Sequence, residues 1–229
     1  MEISKVTNEL HKAFHLFNKR FFDGKLPTPA ITIQSNGHKR KTMGWCTTVP
    51  VWGDKEGKIK LYEINLSAEF LDLSFIETMD TLLHEMIHLY HKVNNIQDCS
   101  RKGRYHNKKF RDKALEIGFI YQSDMPDPKL GWSFAKLGPR IIEEIHTLDI
   151  DPKAFSISRR GYAYYKALEE GLSPSEAEQL ASDIPEKDSQ TNSKSYKYLC
   201  ESCGLIMRSY KNTANVECKD CEKRLVLQE

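Results

Sequence analysis

The run LLHEMIHLYH, from Leu82 to His91, decides how the rest of the chain is read. Two of its histidines, His84 and His88, stand four residues apart, and Glu85 directly follows the first. On an α-helix, positions i and i+4 share a face one turn apart. Both imidazoles can therefore reach one Zn2+ at about 2.0–2.1 Å. Glu85 then lies at the edge of the site without being needed as a ligand. There it can take a proton from water whose pKa a bound metal lowers toward about 7. His-Glu-x-x-His on a helix is the signature of metal-assisted peptide hydrolysis. The competing reading is a pair of core histidines bonded to their neighbours.

The flanks favour the first reading. Ser74 and Glu77 fit a capping box ahead of FIETMDTLLHEMIHLYHKV, and Asn94-Asn95 is a plausible end. Ile76, Met79, Leu82, Leu83, Met86 and Tyr90 make this helix apolar over a wide arc, so it is mostly buried and its histidines face a cleft or another element. A catalytic zinc needs a third protein ligand and an open position. His91 lies seven residues from His84, about 10 Å along the axis at 1.5 Å per residue, too far to share the ion. A metzincin continuation would need Gly at 91 and His at 94, where this chain has His91 and Asn94. Glu116 is the one helical glutamate in range for a thermolysin-like arrangement. His106 is the better choice, because it opens the next helical pattern, HNKKFRDKALEIGF, eighteen residues after His88.

Working outward, ISKVTNELHKAFHLFNKRFF has an apolar stripe at helical spacing, closed by Gly24 and Pro27. ITIQ, MGWCTTVPVW and IKLYEINL look extended, with SNGHKRK and GDKEGK as turns. Strands followed by helices give an α+β class. Within it, Gly44–Val51 is a candidate edge to which a substrate can add as a strand.

Together LHKAFHLFNKRFFDGKLP, MGWCTTVPVW, LLHEMIHLYH and YHNKKFRDKALEIGF resemble the SprT-like family, over about residues 5–120 plus the C-terminal cysteines. The family includes proteases of proteins crosslinked to DNA. The resemblance implies a zincin-like metalloprotease core, His84, His88 and His106 as zinc ligands, and Glu85 as catalytic base. Phe110 matches the aromatic residue that follows the third histidine. Asn107 departs from the glycine usual there.

Four of the six cysteines form a second motif. Cys200 and Cys203, then fourteen residues, then Cys218 and Cys221 make two C-x-x-C pairs. Four thiolates close a tetrahedral zinc and leave no open position. This reads as a structural zinc ribbon, whose metal supplies folding energy that so short a segment cannot find in a core. A redox dithiol is the weaker reading. Cys46 and Cys99 read as half-buried thiols. The cofactor expectation is thus one catalytic and one structural Zn2+.

Lys+Arg of 34 against Asp+Glu of 32 leaves a net charge of +2, so global charge does not advertise nucleic-acid binding. Local runs do. RKGRYHNKKFR carries Arg101, Lys102, Arg104, Lys108, Lys109 and Arg111 with no acid, on both sides of His106, and HKRK at 38–41 is a second cluster. Such a rim can hold the phosphates of single-stranded or damaged DNA, or be only a solvated face. Tyr105, Tyr196, Tyr198 and Tyr210 are candidate base-stacking residues. Between 141 and 190 the balance turns acidic, eleven Asp or Glu against five Lys or Arg. Here GYAYYKALEEGLSPSEAEQLA suggests two short helices ahead of the polar linker EKDSQTNSKS.

The expected organisation is a metalloprotease core over 1–130, an acidic, mainly helical insert and linker over 131–190, and a zinc ribbon over 194–229. The expected function is a zinc endopeptidase acting on protein substrates near DNA. The alternative is a nucleic-acid-binding zinc protein whose helix site is structural or regulatory, for which the Glu85 carboxylate would have no use. With no apolar h-region in MEISKVTNEL and no run of the ~18 apolar residues a membrane span needs, the expectation is a cytoplasmic monomer without membrane contact.

Overall fold

The computed structural model describes residues 2–35, 42–183 and 195–228. The HKRK cluster at 38–41 and nearly all of the EKDSQTNSKS linker lie outside the described residues. The chain divides into two compact units, residues 1–162 and 163–229, and its class is α+β with six α-helices among the described residues.

The first unit opens with α1 (Ile3–Phe21), β1 (Ala30–Gln34), β2 (Gly44–Cys46), β3 (Trp52–Gly53), β4 (Lys60–Leu61), β5 (Glu63–Ser67) and α2 (Phe75–Val93). One three-stranded sheet runs β1-β5-β2, with β1 parallel and β2 antiparallel to β5. All five residues of β5 are buried, yet they alternate in chemistry. Ile64 and Leu66 join the core with Leu10, Phe14 and Phe17 of α1 and Met79, Leu83 and Met86 of α2. Glu63 and Asn65 are instead satisfied by hydrogen bonds: Thr32 Oγ1 donates to both (2.7 and 2.9 Å), and the Trp52 indole donates to Glu63 (2.8 Å).

The extended run expected over Gly44–Val51 stops at Cys46, and β2 is a three-residue edge strand. Pro50 has no N–H to give to a ladder. The chain bends at Thr48-Val49 and re-enters sheet structure only as the separate β3–β4 hairpin, where Trp52 faces Leu61.

Helix α2 begins as its sequence requires. The Ser74 hydroxyl accepts from the Glu77 N–H, and the Glu77 carboxylate accepts from the Ser74 N–H, a complete capping box. After it come β6 (Cys99–Ser100), β7 (Tyr105–His106), α3 (Lys108–Ile117), β8 (Phe119–Ile120), β9 (Lys136–Leu137) and α4 (Pro139–Thr147). His106 does not open α3. It ends the β6–β7 hairpin, and Asn107 caps the helix by accepting from the N–H groups of Lys109 and Phe110 (2.8 and 3.3 Å). Residues 131–162, expected to be part of the acidic, mainly helical insert and linker over 131–190, pack into this unit: Leu137, Ile141, Ile145, Ile150 and Phe155 belong to its core.

The second unit holds most of α5 (Tyr162–Glu169), then α6 (Pro174–Asp183), β10 (Tyr196–Leu199), β11 (Ile206–Ser209), β12 (Glu217–Cys218), β13 (Lys223–Arg224) and β14 (Val226–Gln228). Ser173 and Glu176 form the expected cap of α6. A sheet ordered β11-β10-β14 and the β12–β13 pair frame the four cysteines: Cys200 and Cys203 lie in the β10–β11 turn, Cys218 ends β12, and Cys221 lies in the β12–β13 turn. The core beside them is small: Tyr198, Cys200, Cys218 and Leu225 are its buried members.

Candidate metal centre

Three imidazoles meet over α2. His84 Nε2 lies 3.2 Å and His88 Nε2 3.0 Å from Nε2 of His106. Ligands at 2.0–2.1 Å from a tetrahedral zinc are about 3.3 Å apart, so the spacing is that of a metal triad. The anchoring of His88 points the same way. Asp98, fully buried, takes a 2.5 Å hydrogen bond from His88 Nδ1. That bond holds one proton on Nδ1 and turns Nε2 toward another imidazole nitrogen. Three Nε2 atoms this close need a cation among them, a proton on one or a metal ion shared by all, and their spacing fits a zinc ion. The Phe110 ring, itself buried, lies beneath all three imidazoles, at centroid distances of 4.7, 4.7 and 4.6 Å.

The electrostatics follow from burial. Desolvation, helped by the neighbouring histidines, drives His84 well below its ordinary value, and it drives His106 down to about 4. Burial acts on His88 in the same direction, but its bonds to Asp98 and Cys99 and the nearby Glu85 charge together outweigh it and lift the group to about 10. A cation at Nε2 would replace one proton of that imidazolium and keep the bond to Asp98. Asp98 is held well below the usual carboxylate range, because its bonds to His88 and to Lys92 Nζ (2.8 Å) overcome desolvation. Burial pushes Glu85 up to about 7.

Gly44 brings β2 onto Glu85. A Cβ at position 44 would stand 2.8 Å from the Asn65 carbonyl oxygen and 3.2 Å from Glu85 Cγ, so only glycine lets the edge strand approach α2 this closely. His91 is buried and stands off the triad, its Nδ1 3.6 Å from Asp98. Glu116 is also off the site: it pairs with Lys113 at 2.7 Å, and 67% of its side chain is exposed. Sequence reading passed over Asp98, which has no motif spacing and sits in a polar stretch. It also passed over Asn107 as a cap.

The four cysteines of the second unit form a second cluster, with one sulfur from each inside a 4.8 Å span. Cys203 Sγ and Cys218 Sγ are 3.7 Å apart, against about 3.8 Å for thiolates at 2.3 Å from a tetrahedral ion. The Cys203 and Ser202 N–H groups lower Cys200 to about 7, while hydrogen bonding with Cys203 raises Cys221 to about 12. Without a cation, one thiolate is favoured at the expense of the others. A dication removes that conflict.

The six basic residues near His106 divide into two kinds. Arg101 donates to the Pro128 and Lys129 carbonyls (2.8 and 3.4 Å) and covers the Tyr105 ring at 4.6 Å. Arg111 is half-buried, bonded to Asp112 and stacked on Trp132 at 4.9 Å. Lys102, Arg104, Lys108 and Lys109 are exposed and form no ion pair among the described residues. Of the tyrosines, Tyr198 is unavailable for stacking. It is buried, and its hydroxyl donates to the Lys211 carbonyl and accepts from the Ala214 N–H. Tyr105 and Tyr196 are half-buried, and Tyr210 is exposed.

A family model described as the SprT-like family matches residues 10–128, more than half of the chain, and the chain belongs to that family. The family is generally zinc metalloprotease-like, which gives the chain a metallopeptidase-like character. No curated protein and no solved structure matches. No helix among the described residues is long and apolar enough to cross a membrane.

Proposed function

We propose that this SprT-like chain is a zinc-dependent endopeptidase with a zincin-like core, that His84, His88 and His106 hold its catalytic zinc, and that Glu85 is its base. A second zinc, held by Cys200, Cys203, Cys218 and Cys221, is structural. The observation that carries this reading is the meeting of three imidazole nitrogens beside a buried carboxylate. When bound, a zinc ion supplies Lewis acidity toward a peptide carbonyl and acidifies water. Glu85, kept out of bulk water and near neutral pKa, suits both halves of the reaction: as carboxylate it takes a proton from the attacking water, and as acid it delivers that proton to the leaving amine. The free edge of β2, which packs against Glu85 through Gly44, can hold the substrate backbone as an added strand.

The substrates we assign are proteins on or near DNA. Support comes from the four free cations beside His106, which can grip phosphate and hold a DNA-bound protein over the site. A nucleic-acid-binding protein with no hydrolytic activity would not need a buried carboxylate next to its metal ligands, which costs stability. The test is cleavage of casein, or of the chain itself, with and without single-stranded DNA. Glu85→Gln should lower the rate by about 10²–10⁴-fold, the usual weight of general acid–base catalysis, and keep both zinc ions. Undiminished proteolysis by the purified variant would remove Glu85 from the role of base.

A further inference from the structure

His88 and His106 are held in place by different means. The carboxylate of Asp98 fixes the His88 ring at Nδ1. The His106 ring has no carboxylate behind it: its buried Nδ1 faces only the Leu130 and Arg104 carbonyls. What fixes His106 is its backbone. The His106 N–H donates to the Leu130 carbonyl and the His106 carbonyl accepts from the Trp132 N–H, each at 3.0 Å. The segment 127–132 thus grips the residue on both sides of Gly131.

That segment is itself a closed turn. Asp127 and Gly131 exchange two backbone hydrogen bonds (2.9 and 2.8 Å), and the Asp127 carboxylate accepts from the N–H groups of Lys129 and Leu130 (2.8 and 2.7 Å). Gly131 has φ +67°, and a Cβ there would stand 2.1 Å from the His106 carbonyl oxygen. No side chain fits that gap without moving the strand that carries His106.

We propose that the Asp127–Trp132 turn, through Gly131, is the positioning device for the third zinc ligand and sets the metal affinity of the histidine site. This rests on the metalloprotease reading above, in which His106 is that ligand. Moving His106 off the other two nitrogens opens the triad and leaves the ribbon cluster untouched, so the second site is an internal control. Losing a feature that orients a metal ligand typically weakens the site by about 10–100-fold.

The experiment measures zinc stoichiometry and the rate of zinc transfer to a chromogenic chelator, on full-length wild type, Gly131→Ala, Asp127→Ala and Asp127→Asn. A Co2+-substituted sample of each reports the histidine site by its visible spectrum, without reference to activity. Wild type should hold two zinc ions. Gly131→Ala should lose the histidine-site metal about tenfold faster or more, with thiolate-to-cobalt absorption unchanged. Asp127→Ala should weaken the same site, and Asp127→Asn, which keeps the acceptor oxygen, should restore it. Should Gly131→Ala fail to fold, the Asp127 pair decides the matter, since neither variant adds bulk. Wild-type zinc release from the histidine site in both Gly131→Ala and Asp127→Ala overturns the positioning role and leaves the metalloprotease reading standing. A wild type that holds zinc only at the ribbon overturns both.

Discussion

The two clusters place their ligands by opposite means. His84 and His88 project from a helix whose apolar residues lie in the core of a unit of 162 residues, and His106 is delivered by a hairpin clamped to a turn. That scaffold has a large apolar core of its own. Of the four cysteines Cys218 ends a two-residue strand and the other three lie in turns, around a core with four buried members, two of them cysteines, too little apolar area to offset the entropy of ordering the segment. On the reading proposed above, the fold makes the site in the first unit, and in the second the metal makes the fold. The difference also suits function: an ion that must accept substrate needs an open position and a rigid surround, while a structural ion needs every position closed.

Breaking the ribbon gives the largest effect. A structural zinc of this kind contributes about 10–16 kcal/mol to folding. Replacing Cys200 and Cys203 together by Ser should lower bound zinc from two ions to one, and amide resonances of residues 196–228 should move to random-coil positions. Resonances of the first unit should stay in place. A ribbon still ordered without its metal would abolish the contrast between the sites.

The converse experiment removes metal and titrates the first unit. All three tryptophans, Trp45, Trp52 and Trp132, lie within residues 1–162, so their fluorescence follows that unit alone. Glu85 has a folded pKa of about 7, raised from 4.5 by burial. Between those values the folded state keeps a proton that the unfolded chain has released. Its contribution is therefore full below about pH 4.5 and is lost as pH rises through 7, a change of roughly 3 kcal/mol at 1.36 kcal/mol per unit. In urea denaturation of metal-free protein, Glu85→Gln should match wild type near pH 4 and exceed it near pH 8. The histidines titrate in both proteins, so the comparison cancels them. Equal stability at both ends would mean that the carboxylate is hydrated rather than buried.

Asp98→Asn sharpens the contrast further, because its acceptor oxygen survives and only the charge is lost. Zinc should bind the histidine site about 10–100-fold more weakly, as for other acceptors behind a ligating imidazole, while the cysteine site is unaffected. Competition with a chelator of known affinity measures this. An unchanged constant would leave Asp98 as a structural partner of Lys92 alone.

How far each region can be read from sequence follows the same division. The cysteine spacing is complete in 22 consecutive residues, 200–221, so the cluster needs no tertiary knowledge. The caps of α2 and α6 are equally local: Ser74 with Glu77 and Ser173 with Glu176 satisfy backbone groups within one turn. The surround of the histidines is not local. Asp98 reaches His88 through a fold-back after α2, and Gly131 meets His106 across 25 positions of sequence. No periodicity marks either contact. The short β2 and the packing of residues 131–162 were missed for related reasons. The strand ends at Cys46 because the chain bends at Thr48-Val49, ahead of Pro50, and Ile141, Ile145 and Ile150 find their core only in the folded unit, although the charged residues around them suggest an acidic insert.

The smallest expected effect concerns the basic residues, and it separates scaffold from surface within the first unit. Arg101 and Arg111 are engaged with carbonyls, an acid and aromatic rings, whereas Lys102, Arg104, Lys108 and Lys109 are exposed. If DNA is held here, the exposed group supplies the contacts and the engaged pair holds the shape of the rim. Each single-strand phosphate neutralised contributes about 0.7 to the slope of log affinity against log salt. Replacing Lys108 and Lys109 by Glu should flatten that slope by at least about 1.4, remove any stimulation of cleavage by single-stranded DNA at low salt, and leave zinc content and thermal midpoint as in wild type. Arg111→Ala should do the reverse: it should lower the midpoint through lost packing on Trp132 and leave the salt slope nearly intact. Fluorescence anisotropy of a labelled oligonucleotide over a salt series gives the slopes, and calorimetry gives the midpoints. If Lys108→Glu with Lys109→Glu leaves the slope unchanged, these lysines are a solvated face, and any DNA contact of this chain lies elsewhere.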